Sequence, residues 1–316
     1  MNILFTGATS FTGMWFARAL SQRGHQVTAI MRGSREGYTG LKAERLTALP
    51  REVNLKYDGP FGSEAFLRFI EEAGPIDVTC HHAADATNYK SSEFDILEAL
   101  TRNALNLRRT LLALKAAGCR RLVLTGSVFE AGEGAGDAPL KAFSPYGMSK
   151  TLTCALFSYY TSEYDLGLNK FTIPNPFGPY EEPRFTDYLL RKWSSGEVAV
   201  VNTPAYVRDN IHVSLLAAEY VSCVEESCCA GLRKVNPSGY VETQGAFAIR
   251  FAREIGNRLN LITPVELRNQ TEFPEPAVRI NTMPCHQSAL DWSEAAAWDD
   301  AADYYARRFC LTRRAL

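Results

Sequence analysis

Charge of one sign, long apolar runs and paired cysteines are all missing from this sequence, and each absence excludes something. Lys and Arg number 34 against 35 Asp and Glu in 316 residues, a formal net charge of −1, with no block of like charges. A nucleic-acid or anionic-membrane partner is therefore not expected. No apolar run reaches the roughly 18 residues needed to span a bilayer. Met1–Thr6 is too short for a signal peptide and has no basic leader, so it is expected to be a strand. The eight cysteines are scattered without a C-x-x-C pair, and the adjacent Cys228 and Cys229 suit neither zinc spacing nor a disulfide framework. Reduced thiols in a cytoplasmic protein are the expectation. What is present, 46% apolar and 22% charged residues, is ordinary for a globular chain with ample length for a core.

Residues 1–175 alternate in a βα rhythm. Strands are expected at Ile3–Thr6, Val27–Met31, Val53–Tyr57, Ile76–His81, Arg121–Thr125 and Leu168–Pro174. Helical periodicity runs from Thr12 to Arg23 and, as one long pattern, from Glu93 to Ala117. Ser144-Pro145 opens another helix, with Ser as cap and Pro as first residue. Strands alternating with helices predict a doubly wound parallel sheet. After Asn175-Pro-Phe-Gly-Pro179 the alternation fades and Pro and Gly become denser. The division expected is a dinucleotide-binding domain over 1–175 and a smaller α/β substrate-binding lobe over 176–316, with segments returning to the first domain.

Three motifs carry chemistry. Gly7-Ala-Thr-Ser10-Phe11-Thr12-Gly13 lies between the first strand and first helix, where a dinucleotide pyrophosphate meets a helix N-terminus. Ser10 stands where a middle glycine is expected; its Cβ would crowd the phosphate or strain the turn, or its hydroxyl would donate to a phosphate oxygen. After the second strand, an NAD enzyme wants a carboxylate for the ribose 2′-OH. Here Arg32 and Arg35 stand instead, which suits a 2′-phosphate and favours NADP(H), with NAD(H) the alternative. Tyr146-Gly-Met-Ser-Lys150 puts a phenol and an ammonium one helical turn apart, so that the cation favours the ionised phenol. A second Tyr-x-x-x-Lys at Tyr38–Lys42 shows that the spacing also arises by chance.

Taken together, Gly7-x-x-Ser-x-x-Gly13, Asp58, His81-His82-Ala83-Ala84, Asn103, Thr125-Gly-Ser127, Tyr146-x-x-x-Lys150 and Asn175-Pro-Phe-Gly-Pro179 resemble the extended short-chain dehydrogenase/reductases that act on nucleotide sugars. The resemblance covers most of the chain and is strongest over 1–215. It implies that Gly7, Ser10, Phe11, Thr12, Gly13, Arg32, Arg35, Asp58, His82, Ala83, Ala84, Asn103 and Lys150 form the cofactor site. Asp58 would contact the adenine, and Asn103 would support the fourth strand. Thr125 would hydrogen-bond the substrate oxygen, with Ser127 able to serve instead. Tyr146 would exchange its proton, and Lys150 would hold the nicotinamide ribose. Arg208-Asp-Asn-Ile-His-Val213 looks like the family segment whose arginine binds the sugar-nucleotide pyrophosphate. Asn175, Ser127 and Arg279 would complete the substrate site. A homodimer through helices near 93–117 and 145–165 is the family habit.

Position 127 bears on the reaction. Related dehydratases carry an acid–base carboxylate there, and Ser127 is not one; Glu130 lies farther along the turn. The arginines at 32 and 35 point to a replaceable donor, so the first expectation is NADPH-dependent reduction of a nucleotide-activated keto-sugar at C4. A nucleotide-sugar 4-epimerase is the second, and a non-catalytic NADP-binding sensor the third. No metal is expected.

Overall fold

The computed structural model describes residues 1–89, 91–226, 231–285 and 290–312; Cys228 and Cys229 lie outside the described residues. Strands and helices are numbered along the chain. Contacts divide it into two units, the first formed by Met1–Glu133, Leu140–Ile173 and Ala217–Asn236, the second by Gly134–Pro139, Pro174–Leu216 and the chain from Pro237 onward.

Strand β1 (Asn2–Thr6) buries Ile3, Leu4 and Phe5 alike, the mark of a central strand covered on both faces. It belongs to a seven-stranded sheet with β2 (Gln26–Ile30), β3 (Asn54–Lys56), β4 (Val78–His81), β5 (Arg121–Ser127), β7 (Gly167–Ile173) and β11 (Gly231–Val235). The order is β11-β7-β5-β4-β1-β2-β3, and every pairing is parallel. The chain is thus a doubly wound Rossmann-type α/β fold. The unit's helices are α1 (Phe11–Gln22), α2 (Gly40–Thr47), α3 (Glu64–Glu72), α4 (Ile96–Asn103), α5 (Leu107–Ala116) and α6 (Pro145–Glu163). Helix α8 (Val213–Glu225) belongs to this unit from Ala217 on. Apolar side chains of α3, α5 and α6, among them Phe66, Leu111 and Phe157, pack with Leu4, Leu122 and Leu168 of the sheet in one cluster.

The long helical pattern expected over 93–117 is two helices. Asn106 adopts a left-handed conformation at φ 47° between α4 and α5, and its side chain donates to Gly62 O at 2.9 Å. Gly62 leaves room for this break: a Cβ there would lie 1.8 Å from Leu105 O. Apolar spacing does not report a single left-handed residue, which Asn tolerates better than most.

Below the end of β5 lies a buried charge cluster. Lys170 of β7 pairs with Glu130 and, at 2.9 Å, with Glu133. Lys234 of β11 reaches Glu133 at 2.7 Å, and Thr172 donates to it at 3.2 Å. Burial works against the Glu133 carboxylate, yet hydrogen bonds from Lys234 and Lys170 hold its pKa below the ordinary value. Burial likewise opposes the Lys170 ammonium, while Glu130 carries its pKa above the usual lysine range.

The second unit is built on a sheet of order β13-β10-β15-β6, with β8 also pairing β10. Its strands are β6 (Ala135–Gly136), β8 (Asn175–Phe177), β10 (Val207–His212), β13 (Tyr240–Thr243) and β15 (Val278–Ile280). Two short ladders, β9 (Ala199–Val201) with β14 (Val265–Leu267) and β12 (Pro237–Ser238) with β16 (Met283–Pro284), complete it. Helices α7 (Phe185–Ser194), α9 (Gln244–Leu259) and α10 (Glu294–Phe309) enclose an aromatic core around Phe177, Trp193, Phe247, Phe251 and Trp298. His212 ends β10 against the edge of Phe177 and accepts from Ser214 N at Nδ1, 3.3 Å away. Burial alone pushes its pKa down to about 3.

Two measurements follow. Lys170→Met strands carboxylates that were paired in the interior, and should lower the unfolding free energy by about 3–5 kcal/mol in denaturant titrations; a loss below about 1 kcal/mol would contradict the buried pairing. His212 is neutral when folded and takes up a proton near its ordinary pKa of 6.5 when unfolded. Its contribution to stability is therefore present above pH 6.5 and lost as pH falls toward 3. Unfolding free energy followed from pH 7 to 4 should show a dependence on pH shallower in His212→Gln by up to about 1.4 kcal/mol per pH unit. Equal slopes would show that His212 does not titrate on unfolding.

Candidate active site

The sheet order reverses between β1 and β4, so the crevice beyond their carboxyl ends is where an open α/β sheet takes its ligand. Two turns meet there. Gly7, at φ 89°, has no room for a side chain, because a Cβ would lie 2.7 Å from Ala83 N. Gly13, in the first turn of α1, would carry a Cβ 2.1 Å from Gly7 O. These two glycines let the backbone after β1 close tightly against the turn after β4 and bring the N-terminus of α1 up to the crevice. No acidic residue sits in the first turn of α1, so nothing there repels an anion. This cradle fits a dinucleotide pyrophosphate. Phe11 and Thr12 are buried in the first turn of α1, and Thr12 Oγ1 lies 3.2 Å from His82 Nε2.

Ser10 is not strained. Its φ of −80° and ψ of 165° are extended backbone open to any residue, and its hydroxyl caps α1 by accepting from Gly13 N at 3.1 Å. The same hydroxyl donates to Gly7 O at 3.0 Å and stands 2.9 Å from His82 Nε2. The expectation of a strained turn is corrected, and the hydroxyl makes its hydrogen bonds within the loop and toward His82.

Two histidines follow the sheet into the site. His81 is buried, with Nδ1 3.0 Å from Thr6 Oγ1 and Nε2 3.2 Å from the Asn103 carbonyl. Asn103 is buried too, and its side-chain oxygen accepts from Asp85 N at 2.8 Å. His82, half-buried between Phe5 and Phe16, places Nδ1 3.0 Å from Thr125 Oγ1. Burial first, and the charge of Lys150 second, push both ring pKa values down to about 3. Thr125 itself is 4% exposed. Its hydroxyl is turned inward to His82, whereas Ser127, two residues on along the same side of β5, is only partly buried at the strand end.

Helix α6 starts as the sequence predicts. Ser144 caps it by accepting from Gly147 N at 3.3 Å, with Pro145 in the first turn. Gly147 allows a close pass, since a Cβ would sit 2.2 Å from Phe129 O. Tyr146 and Lys150 share one face of this helix. Lys150 is 5% exposed and donates from Nζ to Thr125 O at 2.5 Å, tying α6 to the end of β5. Burial draws the pKa of Lys150 below its ordinary value, Glu130 opposes this, and Lys170 adds to it. Tyr146 is partly exposed between the rings of Tyr89 and Phe94, at 5.6 and 5.9 Å. Glu130, the carboxylate nearest to Ser127 in sequence, is 0% exposed. It accepts from Ser127 N at 2.7 Å and pairs with Lys170.

Arg32 and Arg35 are exposed beyond β2. Asp58 is exposed after β3, at φ 59°, its N–H bonded to Gly33 O at 3.1 Å. Ala83 and Ala84 follow His82 in the turn after β4, with Ala83 N donating to Thr6 Oγ1 at 3.2 Å. Sequence reasoning did not single out Arg45, a buried side chain on α2 that donates to Thr9 O in the glycine turn at 3.2 Å. Nor did it single out Tyr89 and Phe94. Each is an ordinary helix or loop residue until the fold brings it here, and no local pattern marks it.

In the second unit, β-pairing gathers the expected substrate residues onto one sheet. Arg208 and Arg279 are register partners between β10 and β15, and Asn175 is the partner of Asn210 between β8 and β10. Arg208, 8% exposed, lies over the Tyr206 ring at 4.4 Å. It donates to the carbonyls of Val207, Pro276 and Ala277 at 3.0 to 3.2 Å and to Glu275 at 3.2 Å. As placed it braces the sheet. Arg279 is 1% exposed. Among the described residues no helix is long and apolar enough to cross a membrane, and no group of three His, Cys, Asp or Glu is placed to hold a metal ion.

No curated protein matches the chain in sequence. Among solved structures, a UDP-glucuronic acid 4-epimerase from Bacillus cereus, in complex with UDP-glucuronic acid and NAD, shares 16% identity at a TM-score of 0.74, covering 98% of this chain and 100% of that one. A UDP-glucose 4-epimerase from Thermotoga maritima, with UDP-glucose, shares 17% at 0.73, covering 98% and 99%. A UDP-glucose 4-epimerase from Thermus thermophilus, with NAD, shares 20% at 0.69, covering 96% and 99%. At these identities the likeness is one of fold. The model of the NAD dependent epimerase/dehydratase family matches residues 3–226. Match, sheet order and glycine cradle agree, and the chain belongs to the NAD dependent epimerase/dehydratase family.

Proposed function

We propose that the chain is a nucleotide-sugar 4-epimerase working with NAD(P). The observation that carries this is the fate of Glu130. A dehydratase needs a carboxylate free to move protons beside the reacting sugar, and Glu130 is sealed away on Ser127 N and Lys170. Hydride chemistry with a single proton exchanger, Tyr146, is what the site retains. The solved 4-epimerases similar over nearly the whole chain hold NAD and UDP-sugars, which supports the epimerase over the reductase read first from the sequence. A hydride that is removed and returned within one turnover also needs no replaceable donor.

Gly7, Gly13 and the start of α1 would hold the pyrophosphate, and Lys150 the ribose. Once bound there, the nicotinamide supplies a hydride acceptor that later returns the hydride. Tyr146 accepts the proton of the sugar hydroxyl as the carbonyl forms and returns it on reduction from the other face. Lys150, kept in place by Thr125 O, favours the ionised phenol that this requires. Ser127, rather than the inward Thr125, would hydrogen-bond the reacting oxygen. Arg208, Arg279 and Asn175 would receive the diphosphate, with Arg208 exchanging its Glu275 partner for phosphate. The reductase remains the second reading on one observation: just beyond β2, where a carboxylate for the ribose 2′-OH is expected, the exposed Arg32 stands, with the exposed Arg35 three residues on and Glu36 after it.

Incubating the protein and NAD with UDP-, dTDP-, GDP- and CDP-hexoses should yield a C4 epimer without net formation of NADH. Tyr146→Phe should lower kcat by about 10²–10⁴ with NAD affinity kept. Net consumption of NADPH with a keto-sugar, and tighter binding of NADP than NAD, would hand the site to the reductase reading. Leu97, Leu112 and Tyr159, exposed on α4, α5 and α6, are the apolar surface that a homodimer would cover. Light scattering should give twice the 35.1 kDa chain mass, and a monomer would remove the dimer from the proposal.

A further inference from the structure

His82 joins three elements of the cofactor site: the glycine turn, the start of α1 and the end of β5. Its hydrogen bonds can be assigned by what each partner is able to do. Ser10 Oγ has one hydrogen. Gly7 O can only accept it, at 3.0 Å, and Gly13 N can only donate, at 3.1 Å. Ser10 therefore meets His82 Nε2 with a lone pair, and Nε2 carries the ring proton. Thr12 Oγ1, at 3.2 Å, is a second acceptor for the same N–H. A neutral ring then has a bare Nδ1, to which the Thr125 hydroxyl donates across 3.0 Å. Protonation of the ring would turn the Thr125 hydroxyl from donor to acceptor and set a cation facing Lys150. Burial and the Lys150 charge both oppose it.

We propose that His82, held as the neutral Nε2–H tautomer, is a positioning residue that locks the dinucleotide turn to the strand end presenting Thr125 and Ser127, and through the Thr125 carbonyl to Lys150. The proposal rests on the reading of this crevice as a dinucleotide site. A purely space-filling residue between Phe5 and Phe16 would need no polar edges. Here both edges are bonded, and every bonded partner lies in the glycine turn, the start of α1 or the end of β5. The bridge explains two departures noted above. A serine is tolerated in place of the middle glycine because its hydroxyl has three partners. Thr125 turns inward because its proton is taken, which leaves Ser127 to face the substrate.

Two readouts test this. The first needs neither ligand nor turnover: ¹⁵N NMR of histidine-labelled protein, with the ring assigned through the His82 Cβ. It should show protonated Nε2 and bare Nδ1, unchanged from pH 8 to pH 5. A proton on Nδ1, or a ring titrating in that range, would overturn the proposal. The second is NAD affinity by calorimetry for His82→Leu, Thr125→Val and the double variant, with NADPH run in parallel. Each single variant should weaken binding about tenfold, and the double variant should be within about twofold of the worse single, because the two residues act through one bond. Multiplying losses, or wild-type affinity in His82→Leu, would reduce His82 to packing. A protein that epimerises no sugar nucleotide would sink the proposed function while leaving both readouts decisive for His82.

Discussion

The close approach of the turn after β1 to the turn after β4 is the constraint on which the site depends. It requires glycine at positions 7 and 13, because any Cβ would collide with Ala83 N or Gly7 O. Once the two turns meet, the crevice at the switch point acquires a helix N-terminus on one side and His82 on the other. Tyr146 and Lys150, the proposed proton-exchange pair, come from outside these two turns, on α6. Lys150 ties that helix to β5 through a backbone carbonyl, which any residue at 125 would offer.

Beneath this surface the unit relies on buried charge as well as apolar packing. Glu130, Glu133, Lys170 and Lys234 form a connected set in which each carboxylate has a cation and at least one further donor. Such a set costs desolvation energy, and its buried members Glu130, Glu133 and Lys170 tolerate no missing partner among themselves. Its position holds the backbone at Ser127 through Glu130, so the interior charge and the Ser127 hydroxyl share one structural element.

Much of the first unit was legible in sequence because its signals are local. Strand runs such as Ile3–Thr6 and Arg121–Thr125 are apolar on both faces, and the Ser144-Pro145 start announces α6 through capping chemistry. The pattern over 93–117 misled because apolar periodicity passes unbroken across Asn106, whose left-handed backbone costs an asparagine little. Ser10 was misread for a related reason. A glycine motif suggests positive φ at each glycine-like position, but only the backbone shows that this position is extended. The cofactor preference read from Arg32 and Arg35 weighed two cations against a carboxylate missing at the end of β2, and both side chains are exposed there.

By itself the sequence determined the alternating α/β order, the glycine turn and the one-turn spacing of Tyr146 and Lys150, since each is set by contacts within a few residues. Only the tertiary structure decided which hydroxyl turns inward, which partners His82 meets and where Glu130 goes. Those outcomes turn on partners 43, 72 and 40 residues away, Thr125 and Ser10 for His82 and Lys170 for Glu130. A hydrogen bond is directional and saturable, so the role of a polar side chain follows from which partners have already claimed it. That allocation is made when the strands come together.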